Sequence, residues 1–150
     1  MTVFDNNSVV FLKERERKKK YLKRYKNNKF CIIRLRSKLE SIECKLTSIK
    51  SANYSCMPKA QVSKTTSDLI TEKIDLEKRI LKLERKGQKL KEATYDLIDT
   101  ISDPDLVAVM ECLFIDGNSF DDAADVLRLS NRQLHRKYSI ALDLIELPED

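Results

Sequence analysis

Glycine and proline are nearly missing from this chain: two of the first and three of the second among 150 residues. Tight turns and hairpins draw on both, so their scarcity argues against a sheet protein and for long helices with few interruptions. Tryptophan is absent and aromatic residues make up only 7%, which leaves little material for a ligand pocket walled by rings. His135 is the sole histidine, and the four cysteines, Cys31, Cys44, Cys56 and Cys112, show no C-x-x-C spacing. A zinc site would have to gather its ligands from distant positions; the thiols read instead as reduced, cytosolic and partly buried. No apolar run approaches the length of a membrane span. The opening MTVFDNNSVVFLKERERKKK places its charge after its short apolar stretch, the reverse of a secretory signal. Neither a phosphate-binding glycine loop nor a Ser-His-Asp set is present, so no enzyme, cofactor or small-molecule substrate is expected.

What the chain does have is charge, unevenly distributed. The net +5 conceals a basic segment, residues 13–38, with thirteen Lys or Arg against two acids, and an acidic one, residues 99–150, with four against twelve. Such polarity within one chain constrains partners more than the total does.

Apolar spacing supplies the organisation. Ile32, Leu35, Leu39, Ile42, Leu46 and Ile49 recur at steps of three and four, a heptad seam that Tyr25 and Tyr21 extend backward through Asn28. This first helix is expected to begin near Val10 or Lys13. Pro58 and the small polar residues of 51–66 interrupt it, with Ser63, Thr66 and Ser67 as candidate N-caps for the second helix. Leu69, Leu76, Ile80, Leu83, Leu90, Leu97 and Ile101 then hold a second register, whose gaps are filled by Lys73, Gly87 and Thr94. Gly87 should soften that helix by about 1 kcal/mol relative to Ala. Two seams joined by a loop suggest an antiparallel helical hairpin, or a coiled coil that also makes a homo-oligomer.

Three shorter helices are expected in 102–150. Asp103-Pro104 starts the first, Gly117 suits the left-handed turn after it, Ser119 caps the second and Arg128-Leu129 is a very short link to the third. Phe120, Ala123, Ala124, Val126 and Leu127 are expected to pack the middle helix, and Leu134, Tyr138, Ala141, Leu142 and Ile145 the last, which Pro148 stops. The unit from Ser119 to Leu147 has helix-turn-helix proportions. Ser130 with Gln133 is a capping box, and the polar side of the last helix carries long donors suited to phosphates and base edges. Its candidate DNA-binding residues are Ser130, Asn131, Arg132, Gln133, His135, Arg136 and Lys137.

The stretch from Ile101 to Ile145 resembles region 4 of bacterial sigma factors. It is more similar still to sigma-like regulators of Gram-positive phages, to which the ArpU-type late transcription regulators are related. Gly117, Ser119, Phe120, Ala123, Ala124, Leu127, Ser130, Arg132, Gln133, Leu134, Arg136, Ala141 and Leu142 carry the resemblance. Upstream, Cys56-Met57-Pro58 and Ile74-Asp75-Leu76-Glu77 resemble one phage family that joins a helical N-terminal part to the same ending. The resemblance implies a transcription regulator acting on double-stranded DNA in the cytoplasm of a host bacterium, with RNA polymerase or another host protein as a further partner. Two departures stand out. Leu113-Phe114-Ile115-Asp116-Gly117 lacks the arginine those families place before the turn, and Asp122 and Asp125 add acid. Both keep a protein-binding module, an inhibitor or adaptor of a host protein, open as the alternative.

KERERKKKYLKRYKNNK, residues 13–29, admits three readings. It can be a solvated helix end; a nonspecific nucleic-acid arm through Lys18, Lys19, Lys20, Lys23 and Arg24; or a segment folded back on the acidic C-terminal part. The expected architecture is therefore all-α: a basic N-terminal arm or helix start (1–30), a helical hairpin or coiled coil (31–101), and a C-terminal helix-turn-helix domain (102–150).

Overall fold

A computed structural model describes residues 6–52 and 65–149. All regular structure among them is helical: α1 (Asn6–Ala52), α2 (Thr66–Asp99), α3 (Pro104–Phe114), α4 (Phe120–Leu127) and α5 (Asn131–Leu144). Most of the expected loop, with Cys56, Met57, Pro58 and the candidate cap Ser63, lies outside the described residues. Two boundaries differ from expectation. Helix α1 begins at Asn6, earlier than Val10. Helix α2 is capped by Thr65, whose hydroxyl accepts from the Asp68 amide at 3.2 Å; Thr66 and Ser67 are already helical. None of these helices is long and apolar enough to cross a membrane.

The chain folds as two units, one built from residues 28–87 and the other from the remainder of the sequence on either side. In the 28–87 unit, Leu35 and Ile42 of α1 and Leu69 and Ile80 of α2 are buried, and the other apolar seam positions are half-buried. Contacts fall in reverse order along the two helices: Asn28 at Gly87, Arg36 with Glu84, and Glu43 with Lys73 at 3.3 Å. The pair is therefore antiparallel. Gly87 has a packing role that its helix propensity does not suggest. It is buried, and a Cβ there would stand 2.5 Å from the Asn28 Oδ1. The glycine makes room for a buried polar side chain at the seam.

The other unit has the larger core. Ile98, Val109, Met110, Leu134, Leu142 and Ile145 have 1% exposure or less, and Leu22 of α1, at 0%, belongs to the same cluster. Local signals build its helices. Asp103 caps α3 through the Asp105 amide (2.9 Å), with Pro104 in the first turn, where its missing N–H costs nothing. Gly117 takes φ +76° after α3. Ser119 caps α4 through the Asp122 amide. Helix α4 closes in a Schellman turn, the Leu129 amide reaching the Ala124 carbonyl at 2.9 Å. Its left-handed residue is Arg128 (φ 55°), which forgoes about 1 kcal/mol that glycine would save. Phe120, Ala123, Ala124 and Leu127 turn inward at helical spacing, whereas Val126, expected inside, is 65% exposed because it falls off that stripe. Helix α5 ends at Leu144: Pro148 would press its ring on the carbonyl four residues back, and Ile145 is extended.

Candidate nucleic-acid interface

The tight link after α4 sets where α5 begins, and the capping box fixes its first turn. The Gln133 amide donates to Ser130 Oγ (3.2 Å) and the Ser130 amide to Gln133 Oε1 (3.1 Å). Satisfying donors at both ends of the turn leaves the remaining N-terminal amides and the positive end of the helix dipole facing outward. Leu134 at 0% exposure, with half-buried Tyr138, anchors the inner side. The outer side is then set by the 3.6-residue repeat.

The expected DNA-contacting residues divide into distinct environments. Arg132 and Arg136, one turn apart, are exposed, and among the described residues neither has a carboxylate partner. Ser130 and Gln133 are exposed but spend their oxygens on the cap, so Gln133 keeps its amide NH2 to offer. Asn131 donates to Asp121 Oδ1 at 3.2 Å. His135 is exposed and lies flat on the Phe120 ring, 4.5 Å between centroids and 10° from parallel. Lys137 is half-buried and turned aside, with its ammonium 2.9 Å from Asp105 Oδ2.

The basic segment of α1 belongs to the same unit. Arg15 reaches the Ser139 carbonyl (3.4 Å) and hydroxyl and pairs with Asp143 (3.2 Å), while Tyr21 and Tyr25 pack beside buried Leu22 against the core. Of the three readings of this segment, the structure displays the fold-back. Its expected nucleic-acid residues are unequal. Lys18 is only 7% exposed, with its ammonium 3.7 Å from Glu14. Lys19 pairs with Glu16 at 2.9 Å and holds that carboxyl below the ordinary glutamate range. Arg24 lies 3.7 Å over the Tyr21 ring and donates to the Tyr21 carbonyl. Lys20 and Lys23 are exposed.

Beside α5, Lys19, Lys23 and Lys26 open onto a cleft of about 350 Å³, whose wall includes Phe120, His135 and Tyr138. Burial pushes the Tyr138 hydroxyl above its usual pKa, with Lys19 and Arg15 acting the other way. Lys26 and Phe120 were not among the expected site residues. The spacing of 19, 23 and 26 was a legible sign, since it sets three lysines on one side of a helix. The acids of α4, Asp121, Asp122 and Asp125, are exposed on the helix before the link. Among the described residues, no group of three His, Cys, Asp or Glu side chains is placed to hold a metal. No family model, curated protein or solved structure matches the chain.

Proposed function

We propose that this chain is a DNA-binding transcription regulator of the phage or prophage sigma-like kind, a binding protein rather than a catalyst, working in the cytoplasm of a host bacterium. Helices α4 and α5 form its helix-turn-helix, and the N-terminal turns of α5 enter the major groove. One observation carries the reading: Arg132 and Arg136 project together from a capped helix start, exposed and without carboxylate partners among the described residues. Arginine in that setting offers a planar fork to guanine edges or phosphates. The resemblance of residues 101–145 to sigma region 4 supports the same assignment. The antiparallel pair in 28–87 is read as a coiled coil that sets oligomeric state or contacts RNA polymerase.

Replacing Arg132 and Arg136 with Ala tests the site. Each should weaken binding to a cognate duplex by about 1–3 kcal/mol if it reaches a base, measured by gel shift with operator fragments selected from random duplex. Unchanged affinity in the double variant would reject the assignment. The exposed carboxylates of Asp121, Asp122 and Asp125 favour a second reading, a protein-binding module whose acidic helix meets a basic host surface. Capture of one host protein from nuclease-treated lysate, lost on Asp121→Asn/Asp125→Asn replacement, would support that reading over the first.

A further inference from the structure

The cleft beside α5 offers more than a flank for DNA, and we propose that it is a nucleotide site. The base would rest on its aromatic wall and the phosphate on its lysine edge. Three observations lead there, none of them dependent on duplex binding by α5. First, the lining is one-sided in charge: Lys19, Lys23 and Lys26 contribute ammonium groups, and among the described residues no carboxylate lines the cleft. Glu16 competes for Lys19 at 2.9 Å. Glu16 also acts on Lys23 electrostatically, whereas Lys26 has no carboxylate partner among the described residues; one carboxylate shared by two ammonium groups leaves donors over for an anion. Second, the rest of the wall is largely aromatic. Phe120 holds its ring stacked with His135 and edge-on to Tyr138 (5.2 Å), with Phe114 6.2 Å from Tyr138. The low aromatic content of the sequence suggested no such wall, yet folding gathers these rings from three helices into one place. Third, the volume of about 350 Å³ lies at the small end of ligand sites, which run from roughly 300 to 1,000 Å³. That suits one nucleotide and not a dinucleotide cofactor.

A planar base is the natural partner of such a wall, because every base has a π-face and stacking is tolerant of sequence. A phosphate dianion is the natural partner of neighbouring ammonium groups with donors to spare. The neighbouring polar groups add little: Ser119 Oγ is held by Asp122 at 2.8 Å, and the Asn118 amide faces Cys112 Sγ at 3.1 Å. The site therefore recognises ring plus charge, not a particular base. A free mononucleotide and an unpaired nucleotide of a strand share that chemistry.

Calorimetric titration of the full chain tests this with adenosine 5′-monophosphate, adenosine and inorganic phosphate as probes. The monophosphate should bind at one saturable site, about tenfold or more tightly than either fragment, because only it engages both halves of the cleft. Lys23→Gln/Lys26→Gln should weaken the monophosphate about tenfold and leave adenosine nearly unchanged; Lys23 is exposed and Lys26 half-buried, and the helical CD spectrum checks that the fold is kept. A ten-nucleotide oligothymidylate then separates the sources. Displacement of the bound monophosphate assigns the site to an unpaired nucleotide in a strand, and its failure to displace assigns it to a free nucleotide. Absence of saturable monophosphate binding up to about 5 mM, the weak end of measurable affinity, overturns the proposal, as does binding that the double lysine variant leaves unchanged. Failure of duplex binding in the arginine experiment would leave these outcomes as they are.

Discussion

Leu22→Ala tests whether the basic stretch of α1 is an integral part of the C-terminal unit or a charged arm beside it. Leu22 is fully buried and joins a core otherwise made by α2 to α5 and the residues just after α5. The substitution removes three carbon groups at roughly 0.8 kcal/mol each, about 2.4 kcal/mol of lost transfer energy. The cavity left behind brings the expected loss to about 3–4 kcal/mol, within the range measured for such truncations. For a chain of this size that lowers Tm by about 10 °C. Tyrosine fluorescence is a suitable readout, since Tyr21, Tyr25, Tyr95 and Tyr138 all belong to this unit, and urea titration gives the free energy. Leu12→Ala is the control: Leu12 is 59% exposed, so its loss should stay within about 0.5 kcal/mol. A Leu22→Ala loss below about 1 kcal/mol, or one equal to the control, would refute the reasoning, because a free basic arm has no core contact to lose.

Two further outcomes rest on single contacts. Gly87→Ala sets a propensity gain of about 1 kcal/mol against a Cβ pressed to 2.5 Å from a buried Asn28 oxygen. Overpacking of about 1–3 kcal/mol should win, destabilising the native chain; in an Asn28→Ala background the same change should stabilise, as read by CD melts of the four variants. The raised pKa of Tyr138 means that the unfolded chain gives up this proton first as pH rises. Stability should therefore fall as pH climbs through 10, and Tyr138→Phe should lessen that fall; matching urea midpoints for the two proteins from pH 8 to 11 would contradict it.

Helices and seams were legible because period and caps are local. The 3-4 spacing of Leu35, Ile42, Leu69 and Ile80 survives as burial, and Ser119, Ser130 and Asp103 cap as their chemistry requires. What escaped was long-range. Leu22 lies beside the Tyr21 seam position, and nothing local says that it inserts among residues some seventy to one hundred and twenty positions onward. Gly87 reads as a weak helix former until Asn28 is found opposite it. The candidate interface was legible in its residue types and not in its availability. Arg132, Arg136, Lys137 and Lys18 look alike in a sequence, yet the first two face outward, Lys137 is drawn to Asp105 and Lys18 lies inside. The lysine edge of the cleft was legible in its spacing, but the aromatic wall was not, since its rings come from positions 114, 120, 135 and 138.

The central claim, that the surface around Arg132 and Arg136 engages duplex DNA, is tested most directly by the salt dependence of binding. Fluorescence anisotropy of a labelled random duplex, titrated with the full chain from 50 to 200 mM salt, gives the slope of log affinity against log salt. With about six phosphates neutralised the slope should be near −5, and it should become shallower in the Arg132→Ala/Arg136→Ala variant. A flat slope, or no binding at the lowest salt, would contradict the account.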